Sequence, residues 1–368
     1  MARRALILAF FLPFGHIFAD PIYPFSGPSE PVTLEDILPH YERSECKKNE
    51  FYSEWWSFIF SLDNKYGAYV QFLLSNLGQG DGKAYVRAHF STPEGQNIQK
   101  KDEFSVKDWS FEKDRFSIKI GENSVSGDLQ GFVLKVKNES FEAEFDVKPV
   151  VPPYKPGNGR VQYGSSKDRY YEYHVIAPVA EVSGKVKIKG EDAERTVSGL
   201  MFVEHVATTL GMHEQARQWV RFRSFKKDRV FLFSQILPPP EYGNDPVRFV
   251  VLFEKGQKVF EALNGDVSVR LASFKADEEK EGYAVPWVLE ISGISGKGKN
   301  RFGIKAKVMT DREDYLEEVS TATRFILSKF AKPVLYSFDA IFAGEIEVDG
   351  RIRKIGGFGR YYFTIVNP

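Results

Sequence analysis
From Glu54 to the end of the chain, apolar and polar residues alternate in short runs such as SFIFSL, KAYVRAHFS, FEAEFDV, RVFLFSQIL, DVSVRLASF and GRYYFTIV. A period of two places one set of side chains on each face of an extended strand, and the Gly, Asn and Asp residues between runs supply turns. The breaks recur roughly every ten residues, the spacing of antiparallel sandwiches and up-and-down barrels. Helical patterns are scarce. One segment, Asp314 to Lys329, has helical spacing, weakened by Val319, Thr321 and Thr323. Residues 20–50 are a proline-rich leading segment in which TLEDILPHYE is expected to make one or two helical turns.

The pattern repeats. Glu54 to Leu73 overlays Gln218 to Leu237 without a gap, so that Trp55 meets Trp219, Phe58 meets Phe222, Gln71 meets Gln235 and Leu73 meets Leu237. Each copy reads as a strand, a polar turn and a second strand. The expected organisation is a leader over residues 1–19, the leading segment over 20–50, and two β domains over 51–200 and 201–368. Domains of that size suit closed barrels able to hold a small ligand. Packed sandwiches would use the same strands.

Composition agrees with folded β structure: aromatic residues make up 15% of the chain and charged residues 27%. The start, MARRALILAFFLPFGHIFAD, has two arginines, an apolar run broken by Pro13 and Gly15, and Ala19 before Asp20, which reads as a secretory signal peptide. Removing Arg3 and Arg4 leaves 48 basic against 50 acidic residues, without the basic footprint that nucleic acid binding needs. Cys46 is the only cysteine, so no internal disulfide forms, and an exported chain of this kind is expected in a bacterial periplasm. No glycine-rich loop opens a helix after a strand, so no nucleotide cofactor is expected.

The segment MFVEHVATTLGMHEQARQW holds the candidate chemistry: His205 and His213 beside Glu204 and Glu214. A catalytic zinc site needs a third donor, and the spacing of a helical His-Glu-x-x-His site is missing, so no metal is expected. Acid/base chemistry by Glu204 or His205 is a second reading. Adjacent strand residues face opposite ways, so at most one of the two lies in a cavity, with Glu204 expected in solvent. Trp55 and Trp219 are expected to plug barrel ends, with Trp56 on the opposite face. Arg217, Arg221 and Arg223 share a strand face with Trp219 and read most simply as solvated; contact with a polar ligand head is the other reading. The candidate pocket set is Trp55, Trp56, Gln71, His205, Arg217, Trp219 and Gln235, with one continuous cavity lined by Trp56, Gln71, His205 and Gln235 as the signature of ligand binding.

Ser198 to His205, then Gly211-Met212-His213 and Ala216 to Trp219, resemble the middle of the fungal survival-factor proteins. Phe325 to Lys329, Lys332 to Phe338 and Gly357 to Phe363 are similar to that family's terminal blocks. Glu54-Trp55-Trp56 is similar to the start of the wider lipocalin-like superfamily of carotenoid hydratases, tocopherol cyclases and fungal Diels-Alderases. The resemblance implies two tandem lipocalin-like antiparallel β-barrels holding a lipophilic molecule, in survival-factor proteins a sphingolipid or ceramide, with a link to oxidative-stress survival. This chain departs from those proteins in carrying a leader where they use an amphipathic membrane-touching segment. It also lacks most of the polar groups of the superfamily's enzymes, with Glu204-His205-Val206-Ala207-Thr208-Thr209 at the corresponding place. Three functions follow: a carrier of a lipid or apolar small molecule with transient membrane contact, an isoprenoid or polyene hydratase, cyclase or isomerase using His205 or Glu204, and a structural module with filled barrels.

Overall fold
The computed structural model describes residues 20–77, 81–295, 298–317, 324, 328–329, 331–348 and 350–367. The leader and most of the helical expectation at 314–329 lie outside the described residues; Asp314 itself ends a strand. The first sheet contains β1 (Ile22–Tyr23), β2 (Ser53–Leu62), β3 (Gly67–Ser75), β4 (Lys83–Ser91), β5 (Asn97–Phe104), β6 (Trp109–Phe111), β7 (Phe116–Ile120), β8 (Asn123–Gly127), β9 (Phe132–Lys137), β10 (Phe141–Pro149), β11 (Arg160–Tyr163), β12 (Tyr170–Ile188) and β13 (Arg195–Thr208). The second contains β14 (Gln218–Lys226), β15 (Arg229–Leu237), β16 (Val247–Glu254), β17 (Gln257–Leu263), β18 (Val267–Ala276), β19 (Ala284–Ser295), β20 (Gly298–Asp314), β21 (Val334–Val348) and β22 (Arg351–Ile365). Two short α-helices, α1 (Ser44–Lys47) and α2 (Met212–Gln215), and three single 3-10 turns lie among the described residues.

Both sheets are antiparallel meanders with one topology. The first runs β5-β4-β3-β2-β13-β12-β10-β9-β8-β7-β6 and the second β17-β16-β15-β14-β22-β21-β20-β19-β18, so in each the last strand returns to pair with the first long one. These are the expected tandem lipocalin-like barrels. The sequence places the domain boundary after residue 200, yet β13 runs through that position and pairs with β2; the changeover between sheets falls between Thr208 and Gln218. The strand runs on because its alternation continues unbroken through Met201, Val203, His205 and Ala207 on one face.

The repeat is real in topology but shifted in register. Ser57 pairs with Gln71, whereas Arg221, the residue that the ungapped overlay sets against Ser57, pairs with Ser234 rather than Gln235. The β2–β3 connection spans Asp63 to Tyr66 with Asn64 and Lys65 at positive φ, while β14 and β15 are joined through Lys227 and Asp228 alone. The tighter turn moves the second strand by one residue, and a shift of one exchanges its two faces. Gln71 therefore lies on the outer face of its barrel, beside Ser57, and Gln235 lies inside the other, accepting a hydrogen bond from Arg248 at 2.6 Å.

Rings from non-neighbouring strands meet across each barrel. In the first, Phe58 touches Phe132 with centroids 6.2 Å apart, and Phe60 meets Phe145 at 4.7 Å. In the second, Phe231 meets both Phe302, at 4.8 Å, and Phe342, at 4.9 Å. A third core lies between the barrels, where Tyr171, Tyr173, Phe202 and Val206 of the first pack on Trp219, Leu232, Phe249 and Val251 of the second. Burying each large apolar side chain contributes about 1.5–3 kcal/mol, so this contact holds the barrels as one body.

The leading segment ties the barrels together. Phe25 packs on Phe249 and its carbonyl accepts from Asn264, Ser29 hydrogen-bonds Glu261, and Asp36 and Ile37 then enter the end of the first barrel. Leu38 N–H donates to Leu34 O, closing one turn in TLEDILPHYE, where the sequence predicts one or two helical turns. On β13, Gly199 has φ +153°, and a Cβ there would lie 2.4 Å from the Ser61 carbonyl oxygen. Gly199→Ala is expected to cost about 1–3 kcal/mol, read as a lower urea midpoint at unchanged slope.

Candidate functional site
Strand register builds two polar clusters on opposite faces of the first sheet, with β13 and β2 common to both. The first faces inward. Across β12, β13 and β2, His174 pairs with His205 and His205 with Trp56, while the neighbouring row carries Glu172, Ala207 and Glu54. The His205 ring stacks on Trp56 at 4.7 Å and on His174 at 5.7 Å. His205 Nδ1 bonds the Asp36 carbonyl at 2.7 Å and Nε2 meets Glu54 Oε1 at 2.8 Å. A carbonyl only accepts, so Nδ1 carries hydrogen, and the Nε2–Glu54 contact shares one further proton. Glu54 also accepts from the His40 backbone N–H at 3.0 Å and from the Tyr52 hydroxyl.

Charge in this cluster is strongly redistributed. Burial pushes His174 down to about 3, helped by His205. Burial opposes charge on His40 and Glu172 alike, but their contact at 3.1 Å outweighs it, raising His40 and holding Glu172 at about 2. Burial alone would raise Asp36, yet the Thr33 N–H, His174 and Lys155 bring it below its ordinary value. His205, Glu54, His174 and His40 are all buried beneath the leading segment. This cluster therefore clamps that segment into the barrel end, and among the described residues His205 is fully buried under it instead of facing a ligand cavity.

The second cluster faces outward. Glu204, Ser57, Gln71 and Arg87 form one cross-strand row over β13, β2, β3 and β4, and Phe202, Ile59, Tyr69 and His89 form the next. An outer barrel face is normally wet, but here β14 of the second barrel covers it. Glu204 is 2% exposed, contrary to the solvent position expected from alternation: the alternation holds, and the second barrel buries the outer face. Its Oε2 accepts from Tyr173 at 3.0 Å, while Oε1 lies 3.5 Å from Arg223 Nη1 and 4.0 Å from Arg221 Nη1. Arg221 donates to the Tyr171 hydroxyl at 3.3 Å. Arg223 sits between the rings of Phe202, at 5.2 Å, and Tyr362, at 4.9 Å.

Tyr69, Tyr315 and Arg221 are each partly exposed beside the buried Glu204, so this part of the seam is not fully closed. Burial pushes Tyr69 up to about 12 and raises Tyr315 further, so both keep their hydroxyl hydrogens. Arg87 reaches Glu313 at 3.8 Å at the rim.

The candidate residues thus divide among three places. Trp55 and Trp219 face the seam and do not plug barrel ends, because they occupy the outer parity of β2 and β14. Gln71 lies on the outer row beside them. Trp56 and His205 are inside the first barrel and Gln235 inside the second, so the four residues expected to line one cavity do not meet. Arg217 stands apart, donating to Asn244 at 3.1 Å, while Arg221 and Arg223 are largely covered, with side chains 20% and 10% exposed, rather than solvated. His213 packs on Phe51 and Glu214 accepts from the Gly211 N–H, away from His205. Among the described residues no His, Cys, Asp or Glu group has metal-binding geometry. Tyr69, Tyr173, Tyr315, Glu54, His40 and His174 escaped the sequence reading.

Solved structures share this architecture. A structure of CghA with Sch210972 aligns at TM-score 0.60 and 10% identity, covering 96% of this chain and 95% of that one. An AttH-like protein from Nitrosomonas europaea aligns at 0.57 and 15% identity, covering 92% and 100%. Kievitone hydratase from Nectria haematococca aligns at 0.52 and 14%, covering 95% and 98%. At these identities the likeness is one of fold. No curated protein sequence matches the chain. The Svf1 family profile matches residues 42–357, and the chain belongs to the Svf1 family.

Proposed function
We propose that this protein binds and carries a lipid or other apolar small molecule in the seam between its barrels, without converting it. The observation that supports this reading is the contrast between barrel interiors crossed by touching aromatic rings and a seam that leaves Trp55, Ile59, Tyr69 and Arg221 partly exposed. Apolar walls supply affinity and a few polar groups set orientation, the usual division of labour in small-molecule sites. Trp55 and Ile59, both partly exposed, and Trp219 supply the walls. The expected leader supports a reading in which this activity lies outside the cytoplasm, in a periplasm.

The test is mass spectrometry of an organic extract from natively purified protein, set beside Ile59→Trp, which fills this part of the seam, and Phe58→Leu, which loosens the first barrel. A stoichiometric lipid in the natural chain and in Phe58→Leu, but reduced at least about tenfold in Ile59→Trp, is expected. Equal recovery from Ile59→Trp would place the ligand elsewhere. A chemically altered product on reincubation would favour the hydratase or isomerase reading.

A further inference from the structure
The seam holds an imbalance of charge and of hydrogen bonding. From β14, Arg221 and Arg223 both approach a single carboxylate, Glu204, whose other oxygen is already bonded to Tyr173. The next charged pair, Arg87 with Glu313, balances itself. Among these described residues, three guanidinium groups face two carboxylates.

The donors show the same excess. The Arg223 side chain is 10% exposed, and its Nε and Nη1 have no hydrogen-bond acceptor among the described residues. Trp219, 8% exposed, has an unpartnered buried Nε1. Arg221 connects the two, its guanidinium 5.5 Å from the Trp219 ring. Buried donors without acceptors are costly, and more so when charged.

We infer that the seam ligand is an anionic amphiphile, a long-chain monocarboxylic acid whose head is held by Arg223 and whose tail lies along Trp55 and Ile59. This inference rests on the seam reading above. A carboxylate supplies two acceptor oxygens in the plane that a guanidinium fork matches. One negative charge balances the cluster, whereas a phosphate monoester would overshoot it, carrying about −1.5 to −2 at neutral pH. A neutral lipid would leave the excess charge and the donors uncompensated. Tyr69 and Tyr315, as retained hydroxyls, add donors and no competing anion. Glu204 then acts as an internal competitor for Arg223.

The experiment titrates the full chain with the fluorescent acid cis-parinaric acid and with its methyl ester. The acid is expected to bind at least about tenfold tighter than the ester, a difference equivalent to one charge-assisted hydrogen bond. Arg223→Gln should erase that preference. Glu204→Gln should strengthen acid binding about tenfold and leave the ester unchanged, a gain that a purely structural role for Glu204 would not produce. Should Arg223→Gln fail to fold, the acid-to-ester ratio in the natural chain decides alone. Equal binding of acid and ester, with both lost in Ile59→Trp, overturns the inference and leaves the seam reading standing. Absence of binding, or binding indifferent to Ile59→Trp, overturns both.

Discussion

Replacing Glu54 with Ala is expected to lower the unfolding free energy by about 3–5 kcal/mol, the cost of removing one partner from a buried ionic and hydrogen-bonded network. Glu54 is fully buried and receives the His40 N–H, the Tyr52 hydroxyl and His205 Nε2. Its loss leaves all three without an acceptor, and His40 and Asp36 hold the leading segment in the barrel end. The same substitution should therefore expose residues 20–50 to limited proteolysis before the barrels unfold. A urea midpoint unchanged within about 0.5 kcal/mol would show that the network does not fasten the segment.

Acid is expected to release the same fastening. His174 falls from an ordinary 6.5 to about 3 in the folded chain, so below pH 6.5 the unfolded chain binds a proton that the folded chain refuses. Its contribution is complete above pH 6.5 and is lost as pH falls toward 3. Glu172, lowered from 4.5 to about 2, adds a second loss between those values, and Asp36 has the same sign. His40 has the opposite sign: its raised value gives stability that is full below 6.5 and lost as pH climbs through the folded value. The facing charges are Arg43, Glu54, Lys155, Arg160 and His205, from the leading segment, β2, the loop before β11, β11 and β13. Between pH 6 and 5 the loss from His174 approaches about 1.4 kcal/mol per pH unit, the value for one proton. Denaturation midpoints measured across that range should show this slope, and His174→Gln should flatten it. An equal slope in the variant would remove His174 as its source.

Much of the fold is written in alternation. The runs from Glu54 onward predict the strands, and the overlay of Trp55 on Trp219 marks the two strands that begin equivalent meanders. Parity also carried more than was taken from it. Glu54 shares a face with Trp56 and Phe58, and Glu172 shares one with His174, so the inward polar row was readable within each strand. What joins these rows is long-range: the His205–Asp36 bond spans 169 positions, and no local pattern announces it. Gln235 illustrates a different limit, since a shorter turn that shifts the register by one residue reverses a whole strand face without disturbing the apparent repeat. The outward cluster was missed because Arg221, Arg223 and Glu204 look solvated on an isolated barrel. They become largely covered only when a second barrel packs on that face, a fact of domain packing that alternation within one barrel does not contain.

The location of the ligand in the seam rests on Trp55 and Trp219 facing outward and Trp56 facing inward. Three chains, each keeping one of these tryptophans with the others changed to Phe, would be titrated with a brominated fatty acid, which quenches indoles that it contacts. Quenching of Trp55 and Trp219 with Trp56 unaffected is the predicted result. Quenching of Trp56, with the two outward rings unchanged, would place the ligand inside the first barrel and contradict the seam.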